Sequence, residues 1–578
     1  MKKFGLTALL TLLVLVAFGW LDLFGFSDTA DNGPGVYGTW ISLLPPLVAI
    51  GFALVTREVI LSLFAGIWIG ALFITGYDPF GGTAMSLDFL VEALLDPDHM
   101  AIVVFSLLLG GMVGVMSRGG GTSGVVDVLE KFAKNRFSGQ LFTWASAFVL
   151  FFDDYANTLI RGNALRPMTD RLLISREKLA YLVDSTAAPL AVIAVLTTWI
   201  GFEITQIQSS LASLAAQTED PALAEQLQAG ADNAFMIFLH SIPYLFYPIL
   251  ALAFVLMVVL MRRDFGPMLK AERRAVSGGG VLRPGSMPAA DTELHSVQPA
   301  ENKPRRWYNA GIPVFTVILV ALYGLYSTGA SALDPGERSI VAIIGEADPF
   351  ASLLWASFAG CAIAIGLVIF QRILSVPDTL GAMVGGMQSM LMAVIILVLA
   401  WGLGGVTQDV GTGTYLASLL EDTLPMMLLP GLVFFVAAVT AFSTGTSWGT
   451  MAILFPVVVP LAVAMGAGVG FAGGEHYGIL LGTVSSVMGG AVFGDHCSPI
   501  SDTTVISSMS SACDLIDHVN TQLPYALLVA IVALFVGELP AAFEWLHPVW
   551  GIIVGLIILY LALRYYGEDP EDVLLEKG

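Results

Sequence analysis

The strongest constraint on this chain is a repeated one: apolar runs close to the thickness of a bilayer core recur from one end to the other. A helix needs about 20 predominantly apolar residues to cross roughly 30 Å of hydrocarbon. Such runs stand near 4–26, 39–55, 58–76, 100–117, 139–152, 178–201, 234–261, 309–327, 350–371, 380–402, 428–442, 448–468, 477–494, 522–539 and 545–564. Several are short or interrupted by Gly and Pro, so about 12 to 14 elements are expected, some not crossing fully. Lipid forces every backbone polar group to find an internal partner, which leaves helices or closed barrels, and runs this long read as helices. The chain is 56% hydrophobic and 12% charged, with mean hydropathy +0.80. An ordinary chain is about 25% charged, so a disordered or common water-soluble protein is excluded. The predicted fold class is an all-α polytopic membrane protein. A net charge of −21 argues against nucleic acid as a partner. Cys361, Cys497 and Cys513 form neither a disulfide framework nor a zinc-ligand spacing.

The run 4–26 follows Lys2 and Lys3, and no clear small-residue cleavage site follows it, so a retained first helix is expected. Lys and Arg in short loops mark the cytoplasmic side. The connection 262–306 holds nine, from Arg262 to Arg306, and its SGGG run and prolines read as a flexible linker. Loops 77–99 and 202–232 hold no Lys or Arg and five acids each, which places them outside. Both termini then fall inside. Five segments are expected: an extra N-terminal helix with outer loop (1–37), a first repeat (38–261), a cytoplasmic linker (262–308), a second repeat (309–540), and a C-terminal helix and tail (541–578).

An ungapped offset of 290 pairs Gly114 with Gly404, Gly121 with Gly411, Thr122 with Thr412, Leu129 with Leu419, Ala147 with Ala437 and Phe152 with Phe442. The basic stretch Lys131–Arg136 then lands on the acidic Glu421–Asp422. Matched loops of opposite charge face opposite sides, which is the sign of an inverted-topology repeat, common in secondary transporters.

Each half carries two polar motifs in apolar surroundings. Asp153, Asp154, Tyr155, Ala156, Asn157 and Thr158 follow a run too short to span, which reads as one arm of a re-entrant element. At helical spacing Asn157 shares a face with Asp153 or Asp154. The 290 offset sets Ser443, Thr444, Gly445, Thr446 and Ser447 opposite, with hydroxyls replacing carboxylates. The second motif is Asp184-Ser185-Thr186-Ala187-Ala188-Pro189; its counterpart is GDHCSPISDTT at 494–504, with Pro189 and Pro499 aligned at offset 310. A proline inside an apolar helix removes a donor and frees a carbonyl, and such irregular backbone survives at membrane depth only when buried in protein or facing a cavity. Freed carbonyls and Ser/Thr hydroxyls suit Na+. A carboxylate at the bilayer centre costs roughly 2.5–3.5 kcal/mol on insertion scales, so Asp154, Asp184, Asp495 and Asp502 need partners or a role. A buried carboxyl that holds either a proton or Na+ is sufficient for exchange. Plainer roles are set beside these. Asp153 fits an interfacial ion pair with a nearby arginine. Asp170, Asp514 and Asp517 fit solvated loop charges, and Glu203 fits the outer surface. Trp40, Trp307 and Tyr565 fit interface anchors. His496 adjoins Cys497, so the two do not form a nucleophile–base pair.

With DDYANT at 153–158 and SREKLAYLVDSTAAP at 175–189, the string GDHCSPISDTT resembles the NhaC family of sodium/proton antiporters, within the wider ion transporter superfamily, over roughly residues 38–540. The resemblance implies inverted repeats with re-entrant hairpins and interrupted helices, divided into scaffold and transport domains. It also implies homodimers in a prokaryotic plasma membrane and elevator-type movement. The family's polar positions match Asp154, Asn157, Asp184, Ser185, Thr186, Ser443, Thr444, Asp495, Ser498, Asp502 and Thr503 here. The first helix and the loop 202–232 have no match in the pattern. The expected activity is exchange of cytoplasmic Na+, or Li+, for external H+, with Na+ held by Asp184, Asp495 and Asp502 and Asp154 in support. No cofactor is expected beyond the transported ions, and no enzymatic role. Relatives that exchange malate for lactate or carry amino acids leave an organic-solute carrier as the alternative.

Overall fold

A computed structural model describes residues 36–288 and 304–575, apart from 57, 131–132, 150, 152–153, 219, 335–337, 339–342, 344–346, 413–414, 416–424, 467, 469–475 and 500. These residues are overwhelmingly helical, and the β pairing among them is an isolated bridge between Asp264 and Glu568. The first half runs through α1 (Leu44–Thr56), α2 (Val59–Ile74), α3 (Pro79–Leu95), α4 (Pro97–Arg118), α5 (Gly121–Glu130), α6 (Arg136–Ala145), α7 (Asp154–Arg171), α8 (Arg176–Asp184), α9 (Ala188–Ala191), α10 (Thr198–Gln217), α11 (Pro221–Asp232), α12 (Ala234–Ser241) and α13 (Phe246–Met261). α14 (Gly266–Val276) lies in the connection between the halves. The second half runs through α15 (Tyr308–Ala332), α16 (Pro349–Phe370), α17 (Val376–Ser389), α18 (Leu391–Asp409), α19 (Leu429–Thr444), α20 (Ser447–Ala464), α21 (Tyr477–Cys497), α22 (Asp502–Ser510), α23 (Leu515–Val532), α24 (Leu539–Ala542) and α25 (Pro548–Tyr566).

Local chemistry sets many of the starts. Asp78 accepts from the backbone of Phe80 and Gly81 ahead of Pro79, and Asn135 forms a capping box with Ser138. Ser175, Thr446, Ser501 and Asp514 cap α8, α20, α22 and α23 in the same way. Glycines permit the closest helix approaches. A Cβ on Gly114 of α4 would stand 2.2 Å from the Ala382 carbonyl oxygen on α17, and one on Gly494 of α21 would stand 2.2 Å from that of Ala438 on α19. Small residues four apart are how membrane helices pack without a hydrophobic drive between them.

Among the described residues eight helices are long and apolar enough to cross a membrane; a bent pair, Ala234–Tyr244 with Phe246–Met261 at 48°, makes a ninth. Three shorter apolar helices, Trp40–Ala49, Ile60–Ile74 and Val394–Asp409, bring the described apolar elements to twelve, within the 12 to 14 expected, and the remaining runs are absent from the set or broken for identifiable reasons. The run 4–26 lies outside the described residues. The run 178–201 is three pieces, since α8 stops at Asp184, α9 lasts four residues and α10 starts at Thr198. The run 380–402 divides at Met390 into α17 and α18. The run 139–152 is a ten-residue helix followed by a 3-10 turn at Ser146–Val149.

Two other expectations are corrected. The stretch 202–232 is not a loop: it holds α11 and most of α10, and α10 is buried along much of its length, with Glu203 wholly buried. Its polar residues misled the hydropathy reading because several serve their own helix. Thr205 Oγ1 donates to the Gly201 carbonyl at 2.9 Å, and Ser210 Oγ to that of Gln206 at 2.6 Å, so neither needs water. The connection 262–306 is not flexible throughout. α14 buries Met268, Leu269 and Ala275, and Glu272 accepts from the Ser175 backbone at 2.8 Å and from Arg136 at 2.5 Å. Lys178, fully buried, pairs with Asp264 at 2.5 Å, and Tyr525 donates to the same carboxylate at 2.6 Å. Residues 289–303 of this connection lie outside the described ones.

The packing that positions the site is specific. α7 and α8 lie against each other and against α22, α8 also touches α23, and α21 packs on α19, α20 and α23. α10 lies against α4 and α18 and also against α20.

Candidate functional site

The chemistry gathers where two helices stop inside the protein. In the first half, α8 ends at Asp184, the chain leaves helical geometry over Ser185–Ala187, and α9 restarts with Pro189 in its first turn. In the second, α21 ends at Cys497, Ser498 is extended, and Ser501 caps α22. Ends of this kind leave carbonyls without helical partners. Ser498 Oγ donates to the Phe442 carbonyl at 2.7 Å, in the last turn of α19. Gly445, at φ 73°, closes that helix in the left-handed conformation that glycine adopts most easily.

Arg161 organises the first break. This fully buried side chain on α7 sends Nη1 to Asn157 Oδ1 (2.6 Å), Thr186 Oγ1 (3.0 Å) and the Val183 carbonyl (3.4 Å). Nη2 reaches the carbonyls of Thr143 (2.6 Å) and Leu182 (3.4 Å), and Nε reaches Ser146 Oγ (3.0 Å). One guanidinium thus satisfies carbonyls at the end of α8 and at the end of α6 together. Asn157 Nδ2 donates onward to the Ala147 carbonyl at 3.2 Å.

The two breaks meet. Asp184 and Asp495 are both 1% exposed. Asp184 Oδ2 accepts from Gln522 Nε2 at 2.6 Å and faces Thr504 Oγ1 and His518 Nε2, each at 3.4 Å. Asp184 Oδ1 is buried with no hydrogen-bond partner among the described residues. Asp495 accepts from Ser501 Oγ at 2.6 Å and Thr503 Oγ1 at 2.8 Å. Thr504 joins the pair, since its hydroxyl also donates to the Asp495 carbonyl at 3.2 Å. Gln522 joins them again by donating to the His496 carbonyl at 2.9 Å, and Ser185 Oγ reaches Gln522 Oε1 at 3.4 Å. His518 Nε2 lies 2.9 Å from Ser507 Oγ, and His496 Nδ1 lies 2.9 Å from the Tyr247 hydroxyl. Among the described residues no three His, Cys, Asp or Glu side chains converge as a transition metal would require. Besides the nitrogens of Gln522 and His518, the groups here are oxygens: a carboxylate with one unpartnered atom, several hydroxyls and helix-end carbonyls, which suit a hard cation.

The fold and this geometry can be set against known proteins. A family model described as the Na+/H+ antiporter family matches residues 208–537. An uncharacterized protein of Haemophilus influenzae is 34% identical over 533 residues, 90% of this chain and 95% of that protein. This chain belongs to the Na+/H+ antiporter family. It is also similar to the malate-2H(+)/Na(+)-lactate antiporter of Bacillus subtilis, at 32% identity over 179 residues, 28% of this chain and 33% of that one. Its fold resembles the YdaH transporter of Alcanivorax borkumensis, at TM-score 0.51 and 13% identity, covering 84% of this chain and 89% of the other.

Within this antiporter-family chain the polar residues expected to act together take different places. Asp184, Ser185, Asp495, Thr503 and, through Arg161, Asn157 and Thr186 converge on the two breaks. Asp154, 1% exposed, opens α7 one turn from Asn157, and Ser498 serves the end of α19. Thr444 bonds back to the Thr440 carbonyl at 2.9 Å, while Ser443 is half-buried on the last turn of α19, so these two help end that helix. Asp502 opens α22, but its side chain lies outside the described residues, as does Asp153. Asp170 and Asp517 are not solvated loop charges as expected: they lie in α7 and α23 and pair with Arg176 (2.7 Å) and Arg283 (2.8 Å), while Asp514 caps α23.

From sequence, Arg161 stood only as a candidate ion-pair partner and Ser501 and Thr504 only as members of the 494–504 string, while His518, Gln522 and Tyr247 were not singled out. Signals existed for most of them. Arg161 stands four residues after Asn157, Ser501 and Thr504 lie inside the 494–504 string, and His518 and Gln522 are four apart on one face of α23. Tyr247 had no local signal.

Proposed function

We propose that this protein is a secondary Na+/H+ antiporter that exchanges cytoplasmic Na+ for external H+ across a prokaryotic plasma membrane. The observation that carries this reading is the meeting of Asp184 and Asp495, one from each half, at two helix breaks bridged by Thr504 and Gln522. Asp184 Oδ1, buried and without a hydrogen-bond partner among the described residues, is the atom this reading gives to the cation. A hydroxyl has one donor and two acceptor lone pairs. Ser501, Thr503 and Thr504 can therefore donate to the carboxylates in one state and turn oxygen toward Na+ in the other. A proton and a sodium ion then compete for the same carboxyl groups, which couples their movements. Elevator-type movement of the group containing α7, α8 and α19–α23 against α1–α4 and α15–α18, in a homodimer, would carry the site across. Inverted repeats would account for the matching breaks.

The second reading is a carrier of an organic acid, which the similarity to a malate/lactate exchanger raises. Such a site needs a cationic receptor, and Arg161 is a buried guanidinium at the break that follows Asp184. Its contacts to Asn157, Thr186, Ser146, Thr143, Leu182 and Val183 use its N–H groups on the protein itself. This favours the inorganic cation. Everted vesicles with an imposed pH gradient test the choice. Addition of Na+ alone should dequench a pH-sensitive dye, and Asp184→Asn should remove the response. A signal that appears only with malate, lactate or an amino acid would overturn the Na+/H+ reading.

A further inference from the structure

We propose that Glu203 carries a second exchangeable proton, at a position separate from the Asp184–Asp495 pair; the proposal rests on the antiport reading and adds its stoichiometry. Glu203 lies in α10 with no exposed surface, and neither carboxyl oxygen has a hydrogen-bond partner among the described residues. A bare carboxylate in a lipid-shielded interior is strongly disfavoured unless it is paired or functional. A neutral, proton-carrying carboxyl satisfies that constraint in the conformation seen here.

The surroundings supply what the ionised form would need. Trp199 is four residues before Glu203 and Gln206 three after, so all three share one face of α10. Trp199 Nε1 and Gln206 Nε2 are both buried donors without a partner among the described residues. Unused donors and an unused acceptor on one face make two packings available: one with a neutral carboxyl and idle donors, the other with an anion and engaged donors. The same face meets α20. Trp448 packs edge-on against Trp199 with ring centroids 5.5 Å apart and tilts against Phe202 at 4.8 Å, and its own Nε1 is likewise without a partner. Trp448 is the second residue of α20, immediately after the break at Gly445–Thr446. On the opposite side α10 is held to α4, where a Cβ on Gly201 would stand 2.4 Å from Ile102 Cδ1. A shift of α20 against α10 therefore changes the environment of Glu203 directly.

No other charge supplies this role. α20 carries no titratable side chain; α18 offers Asp409 at its end, and α4 offers Asp98, His99 and Arg118 at its ends. α11 and α12 bring Glu225, Asp232 and His240. His99 touches α10 at Ser209, six residues beyond Glu203, with Nε2 3.4 Å from the hydroxyl. None of these pairs with Glu203.

The test measures coupling in proteoliposomes at clamped zero potential. With one proton at the paired aspartates and one on Glu203, a tenfold proton gradient should hold about a hundredfold Na+ gradient at zero net flux; with one proton in total, only about tenfold. Wild type should show the first ratio, Glu203→Gln the second, and Glu203→Asp should restore the first. A ratio unchanged in Glu203→Gln, or a wild-type ratio of one, overturns the proposal. Should wild type move no Na+, the antiport reading fails on its own. The proton is then read by infrared difference spectra between acid and alkaline samples. A protonated-carboxyl band lost in Glu203→Gln supports the site, and the same band retained there overturns it.

Discussion

The two helix breaks solve one problem with opposite chemistry. At the first, a single fixed cation, Arg161, gathers carbonyls from α6 and α8 and fixes Asn157 and Thr186. At the second, neutral hydroxyls do the work: Ser498 on the Phe442 carbonyl, Ser501 and Thr503 on Asp495. A guanidinium only donates, whereas a hydroxyl can donate or accept. The first break is thus fixed in polarity, and the second can answer a change of occupant. Asp184 differs from Asp495 in the same sense, since it keeps one oxygen without a partner while Asp495 accepts on both.

The sharpest way to break this comparison is to neutralise each carboxylate in turn. Asp184→Asn and Asp495→Asn should each reduce Na+-driven dye dequenching in everted vesicles to background. An Asp495→Asn protein with wild-type exchange would confine ion binding to the first break. Next in size is Arg161→Met, which strands several buried acceptors at about 1–3 kcal/mol each. The thermal midpoint of the detergent-solubilised protein should drop steeply, and Arg161→Lys, with fewer donors, should recover part of the loss. If Arg161→Met unfolds at the wild-type temperature, the guanidinium is not what holds the first break. Gln522→Ala removes a 2.6 Å hydrogen bond to Asp184. Hydrogen bonds to charged groups contribute about 1.5–3 kcal/mol, so the half-saturating Na+ concentration should change by at least about tenfold. Smallest is Ser498→Ala, which removes one hydroxyl from the Phe442 carbonyl and should cost about 1 kcal/mol. A small fall in thermal midpoint with near-normal exchange is expected. Loss of exchange there would give Ser498 a part in ion binding.

Much of this was legible beforehand because it is local. The class of fold followed from run length and hydropathy, and both breaks were marked by Pro189 and Pro499 beside aspartates. Misreadings arose where polarity was taken as exposure. α10 carries Glu203, Thr205, Gln206 and Ser210, and hydropathy put them in water, yet all four are buried. The ordered α14 was hidden for a related reason: its basic residues and following glycines resemble a linker, while its buried face is spent on α8 and α23.

By itself the amino-acid sequence determined that the chain is helical and membrane-embedded, and which segments cannot stay helical, because backbone satisfaction in lipid and the geometry of proline act over a few residues. Only the tertiary structure decided that Asp184 and Asp495, more than three hundred positions apart, share Thr504 and Gln522, that Arg161 turns inward, and that Glu203 is fully buried in α10, a helix packed against α4, α18 and α20. Those outcomes depend on which helix faces meet, and the free energy of burying a polar group is set by the neighbours it finds rather than by the residues beside it in the chain.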